Sequence, residues 1–170
     1  MKKLLSLLLL VSFTLFAANY DKQLERKFKL PENFKENLSA EMFDLQSKMN
    51  QVLEGISRGK WQMLQSVADE MSQNYILKQK MSYQDKKYLK RYLPKGFIAL
   101  DRYFHELAGE MAQAAKKKDA KVVLEKYQGM IKSCMECHAQ YADYRFTEFK
   151  GFEIKNTIPK KFYKLPDEWR

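Results

Sequence analysis

Four stretches of this chain repeat apolar side chains at intervals of three and four residues, and none alternates apolar with polar over any length. That period belongs to the helix, so the chain is expected to be all-α. The first stretch runs from about Phe34 to Ser57 through Leu38, Met42, Leu45, Met49, Val52, Leu53 and Ile56, with Gly59 placed to end it as a left-handed cap. The second begins near Trp61 and carries Leu64, Val67, Ala68, Met71 and Tyr75 on one face. The third spans about Phe97 to Lys118, with Leu100, Phe104, Leu107, Ala108, Met111 and Ala115 as its stripe. The fourth starts at Asp119, an N-cap residue type, and extends to about Phe149 through Val123, Tyr127, Met130, Cys134 and Tyr141. Only 6 Gly and 4 Pro in 170 residues leave these stretches unbroken.

The connections set the topology. Gly59-Lys60 and Lys117-Lys118 are so short that the helices they join must be antiparallel neighbours. The middle link is longer and basic: Lys78, Lys80, Lys86, Lys87, Lys90, Arg91 and Lys95 face a lone acid, Asp85. Within it, Ser82 and Asp85 have the spacing of a capping box for a short helix that ends before Pro94. The expected assembly is an up-down-up-down four-helix bundle over residues 19–149, with a C-terminal extension at 150–170 outside that pattern.

The first 18 residues read as a cleaved signal peptide. A basic start at Lys2-Lys3 leads into an apolar run from Leu4 to Phe16, then small Ala17 and Ala18. The run is about 13 residues, against the ~20 of a membrane-spanning helix. Export to the periplasm is the expectation, with no stable membrane insertion after cleavage. The formal charge of +10 remains strongly basic once Lys2 and Lys3 are removed. Outside the cytoplasm such charge points to acidic protein partners or anionic headgroups rather than to nucleic acid.

Chemistry is concentrated in Ser133-Cys134-Met135-Glu136-Cys137-His138. Cys-x-x-Cys-His is the attachment signature of a c-type haem. Residues three apart share a helix face, so both sulfurs can reach the two vinyl groups on one haem edge while His138 meets the iron. The chain holds 2 Cys and 2 His, and three of these four fall in the motif. A thioredoxin-type pair would want a βαβ setting that is absent from the pattern. A structural zinc site needs four ligands, which this set supplies poorly. A plain disulfide would not require His138.

A four-helix bundle with this motif near the end of its last helix resembles the cytochrome c-prime superfamily, including its low-spin, methionine-ligated members. The resemblance covers about residues 34–148 and includes Met42-x6-Met49, Gly55, and Tyr141 three residues after His138. It implies one covalently attached haem and a distal residue at Met42. The chain departs from the family where Ala142 follows Tyr141 in place of the usual arginine; Arg145 lies one turn on.

Two residues compete for the iron's sixth site. Met42 lies about 12 Å into the first helix and His138 about 15 Å before the end of the antiparallel fourth, so their levels match. His105 stands at a similar height on the third helix. Met42 is about 40° from the centre of its apolar stripe and His105 about 100° from the centre of its own. Met42 is therefore expected to point into the bundle and His105 to its flank. The expected metal ligands are His138 and Met42, with Cys134 and Cys137 binding the cofactor. Such ligation holds iron low-spin and suits one-electron transfer to an acidic redox partner. If Met42 does not bind, the alternative is a five-coordinate protein that binds or scavenges small gases such as nitric oxide. No distal His/Arg pair of a peroxidase is visible and no catalytic residue is expected. The sequence leaves a homodimer open.

Overall fold

The computed structural model describes residues 32–73, 82–149 and 158–164. The expected signal peptide at 1–18 lies outside these residues, as do Lys78 and Lys80. The chain is an all-α helical bundle. Among the described residues five helices follow one another: α1 (Glu32–Arg58), α2 (Trp61–Gln73), α3 (Tyr83–Tyr92), α4 (Lys95–Lys116) and α5 (Ala120–Tyr141). Short 3-10 turns follow at Thr147–Phe149 and Lys160–Tyr163. No described helix is long and apolar enough to cross a membrane.

The turns have the chemistry their sequences announce. Gly59 sits at φ +63°, and Lys60 N–H donates back to the Gly55 carbonyl at 2.9 Å, a Schellman closure of α1. The same closure ends α4, where Asp119 N–H reaches the Ala114 carbonyl at 3.0 Å and Lys118 takes the left-handed position at φ +56°. Asp119 then caps α5, accepting from Val122 N–H at 3.1 Å. Ser82 and Asp85 form the capping box of α3, with Asp85 N–H on the serine oxygen at 3.2 Å and Ser82 N–H on the carboxylate at 3.1 Å. Pro94 cannot continue α3 and starts α4 instead.

α1, α2, α4 and α5 close a ring in chain order, each touching the next and α5 returning to α1. The packing is uneven. α4 is tightly seated on both α2 and α5, while α1 meets α5 only sparingly. Small residues let α2 and α4 approach: Ala68, Ala108 and Ala112 are buried, and a Cβ on Gly109 would stand 3.5 Å from Ser72. Around them, Val52, Leu64, Met71, Phe104, Leu107, Met111 and Met130 make the main core.

Two boundaries differ from the sequence reading. α5 ends at Tyr141, not near Phe149, because the chain turns at Ala142, whose carbonyl accepts from Arg145 N–H at 2.9 Å and Phe146 N–H at 3.1 Å. Part of the C-terminal extension also joins the bundle. Ile158 and Phe162 bury against Ala99 and Leu100 of α4, with Tyr103, Cys137 and Tyr141 at the margin. Arg102 secures this segment by donating from Nη1 to the carbonyls of Phe162 at 3.2 Å and Lys164 at 2.6 Å.

Candidate functional site

α5 carries the motif. Cys134, Cys137, His138 and Tyr141 fall within one face, and both cysteines are half-buried free thiols. Burial pushes the Cys134 thiol up to about 11. Burial, then the nearby charges of Asp101 and Cys134, push Cys137 up to about 12. A redox-active pair needs a stabilised thiolate, so these surroundings do not suit one. Protonated thiols in apolar surroundings suit addition to a haem vinyl group.

His138 is positioned by the turn after α5. Phe146 folds back and stacks on the imidazole, with ring centroids 4.2 Å apart and 16° between planes. Burial and then the charge of Arg145 hold His138 below the ordinary imidazole range. The charge of Arg145, in the turn after α5, therefore acts on His138. A neutral imidazole is the form that ligates a metal.

The inward face of α1 differs from its apolar stripe. Phe34, Glu41, Lys48, Val52 and Gly55 are the buried positions. Gly55 abuts Leu64, and Lys48 pairs with Glu70 at 3.8 Å, so that edge of α1 faces α2. By helical phase the opposite edge, with Leu38, Met42, Met49 and Leu53, faces α5. On α5, Gly129 abuts Leu107 and Lys126 pairs with Glu110 at 2.8 Å, which turns that edge to α4. The edge left for α1 bears Leu124, Ile131, Cys134 and His138. Met42, Leu53, Leu124 and Ile131 are all exposed in this sparingly packed seam. Met42 lies ~24 Å below the α1–α2 turn and His138 ~27 Å below the start of α5, so they stand at one level across it. The seam carries one thiol, Cys134, and the His138 imidazole on its α5 lip, while Cys137 packs against Ala99, Leu100, Ile158 and Phe162.

His105 corrects the sequence reading. It was expected on the flank of the bundle, yet it is 2% exposed, while Met42, expected to point inward, is 37% exposed at the seam's edge. The phase estimate failed because α4 buries nearly its whole circumference, and the side bearing His105 faces Met71 of α2 and Glu41 of α1. His105 Nδ1 meets the Met71 carbonyl at 2.5 Å. Its Nε2 lies 3.6 Å from Asp101 Oδ1 and 3.8 Å from Glu41 Oε1. Burial alone would lower its pKa, but Asp101, the Met71 carbonyl and Glu41 together raise it. Sequence reasoning missed this group. The i,i+4 pair Asp101/His105 was its one legible signal, since Glu41 occupies an inward position that an apolar count passes over.

No family model matches the chain, and no curated protein or solved structure matches it either.

Proposed function

We propose that this chain is an exported mono-haem c-type cytochrome acting in one-electron transfer, akin to the low-spin members of the cytochrome c-prime superfamily. The observation that carries the reading is the α1–α5 seam, whose α5 lip bears Cys134 and His138, with Cys137 turned towards α4 and the C-terminal segment, and whose α1 lip bears Met42. Cys134 and Cys137 would anchor the haem, His138 would be the proximal ligand and Met42 the distal one. The haem, when bound, supplies an iron that changes charge by one electron. The chain's own part is to fix the ligands and keep water out. Phe146 holds the imidazole plane, burial and then the charge of Arg145 favour the neutral ring, and Tyr127 and Met49 pack in the same apolar cluster as Cys134. Thioether ligation of this kind raises the potential and needs no rearrangement between oxidation states.

The exposure of Met42 favours a second reading. Few neighbours pin its side chain, so the sixth position is one that a small gas such as nitric oxide could take, making the chain a gas-binding or gas-scavenging protein.

The deciding test is expression with an export signal in a host that carries c-type maturation machinery. Wild-type protein should retain haem through denaturing electrophoresis, and Cys134→Ala/Cys137→Ala should not. A colourless wild-type protein would end both readings. A low-spin ferric spectrum supports electron transfer, and a high-spin one supports the gas-binding role.

A further inference from the structure

Glu41, Asp101 and His105 bring three potential ligand atoms within 4.8 Å of one another inside the bundle. Glu41 comes from α1, and Asp101 and His105 lie one turn apart on α4. We infer that these three side chains form a binding site for a divalent first-row cation of the zinc type, separate from the Cys134–His138 motif.

Geometry argues for this first. Donors ~2.0–2.2 Å from a four-coordinate ion stand about 3.4 Å from each other. The Nε2 separations of 3.6 Å and 3.8 Å to the two carboxylates are close to that spacing, and a small rotation of either carboxylate closes the difference. The other ring nitrogen is already engaged. Nδ1 faces the Met71 carbonyl at 2.5 Å, which fixes the ring plane and, with the proton on Nδ1, directs the Nε2 lone pair at the two carboxylates. A histidine that binds a metal almost always donates its second ring N–H to such a carbonyl or to a carboxylate.

Charge argues for it next. Two carboxylates beside one imidazole make an anionic donor set, and Glu41 is only 1% exposed. A divalent ion with a neutral His105 would bring the site to neutrality. Asp101 is partly exposed and gives the ion a way in. The mixed imidazole and carboxylate set selects against magnesium and calcium, which prefer oxygen alone, and for zinc or its neighbours.

The test is independent of haem. Full-length wild type and Cys134→Ala/Cys137→Ala are each incubated with zinc chloride and gel-filtered, and zinc per chain is counted by atomic emission. Both should retain a single equivalent. His105→Ala in either background should lose it, and Asp101→Asn and Glu41→Gln should weaken it. Zinc should also raise the melting temperature of the parents and not of the variants. The two carboxamide variants keep side-chain shape, so they carry the test if His105→Ala fails to fold. Failure of both parents to retain zinc, or equal retention by parents and variants, would overturn the assignment.

Discussion

Phe146 lies flat on His138, its ring centroid 4.2 Å away and its plane tilted by 16°. The contact exists because α5 stops at Tyr141 and the chain turns back at Ala142. Phe146→Ala should cost about 0.5–1.5 kcal/mol of stability, the usual worth of such a ring pair, while Phe146→Tyr should cost little. In haem-loaded protein the alanine variant should broaden the ferric electron paramagnetic resonance signals, because the imidazole plane is no longer fixed. Signals as sharp as those of wild type would mean that the stack does not orient the ring.

The two thiols offer a test in haem-free protein. Burial holds Cys134 near 11, against 9.0 for an ordinary thiol on the same scale, and Cys137 near 12. Near neutral pH a rise of two units removes about 100-fold of the thiolate, and the thiolate is the nucleophile. Alkylation by iodoacetamide at pH 8 should therefore be about 100-fold slower at Cys134 than at a free cysteine, and slower still at Cys137. Fast alkylation at either position would restore the redox-pair alternative.

Much of the fold was legible because capping and turn chemistry are local. Gly59, Asp119, and the Ser82/Asp85 box fixed three helix ends from a few residues each. The inward face of α1 was less legible. Glu41, Lys48 and Gly55 occupy core positions there, and none of them adds to an apolar stripe. The stripe read from Met42 and Leu53 was real but marks the edge towards α5. His105 was misread for a related reason: it faces the Met71 carbonyl of α2 and Glu41 of α1, which are remote in sequence. That Cys134, Cys137 and His138 share one helix was legible, since their spacing is local.

Met42 separates the two functional readings. In haem-loaded protein Met42→Ala should convert a low-spin ferric spectrum to high-spin and let the ferrous form bind carbon monoxide. His105→Ala should leave the iron's coordination unchanged, because Nε2 faces the Glu41/Asp101 pair rather than the α1–α5 seam. A wild-type spectrum indifferent to Met42→Ala would remove that residue from the iron.

Gly55 is a packing position. A Cβ built there would stand 2.7 Å from Leu64 Cδ2 and 2.8 Å from its Cγ, and Leu64 is fully buried with no room to yield. Gly55→Ala should force α1 away from α2 and cost about 1–3 kcal/mol, measured by chemical denaturation. Gly55→Ala combined with Leu64→Ala should cost less than the sum of the two single changes, because truncating Leu64 opens the space that the new methyl needs. Strict additivity would show that the strain lies elsewhere.

The last prediction concerns the end of the molecule where the haem would lie. α3 follows its capping box with Lys87 and Arg91 exposed, and Lys95 is exposed at the first turn of α4. The start of α4 is bound to the motif end of α5: Gly96 backs onto the Tyr141 hydroxyl, and Phe97 meets the Tyr141 ring edge-on at 5.6 Å. Asn33 at the start of α1 also reaches Asp85, so α3 sits at the level where α1 begins and α5 ends. On the proposed function the basic segment would flank the approach to His138 and would attract an acidic redox partner, raising the encounter rate more than the strength of the complex. Exposed charges of this kind act through solvent, over a Debye length that shortens from ~30 Å at 0.01 M salt to ~10 Å at 0.1 M. Changing Lys87, Arg91 and Lys95 to Gln should slow electron transfer to an acidic acceptor at low salt and flatten its salt dependence, with the haem spectrum unchanged. Equal rates and an equal salt slope in the variant and the wild type would reduce the segment to a solvated surface that keeps a basic protein in solution.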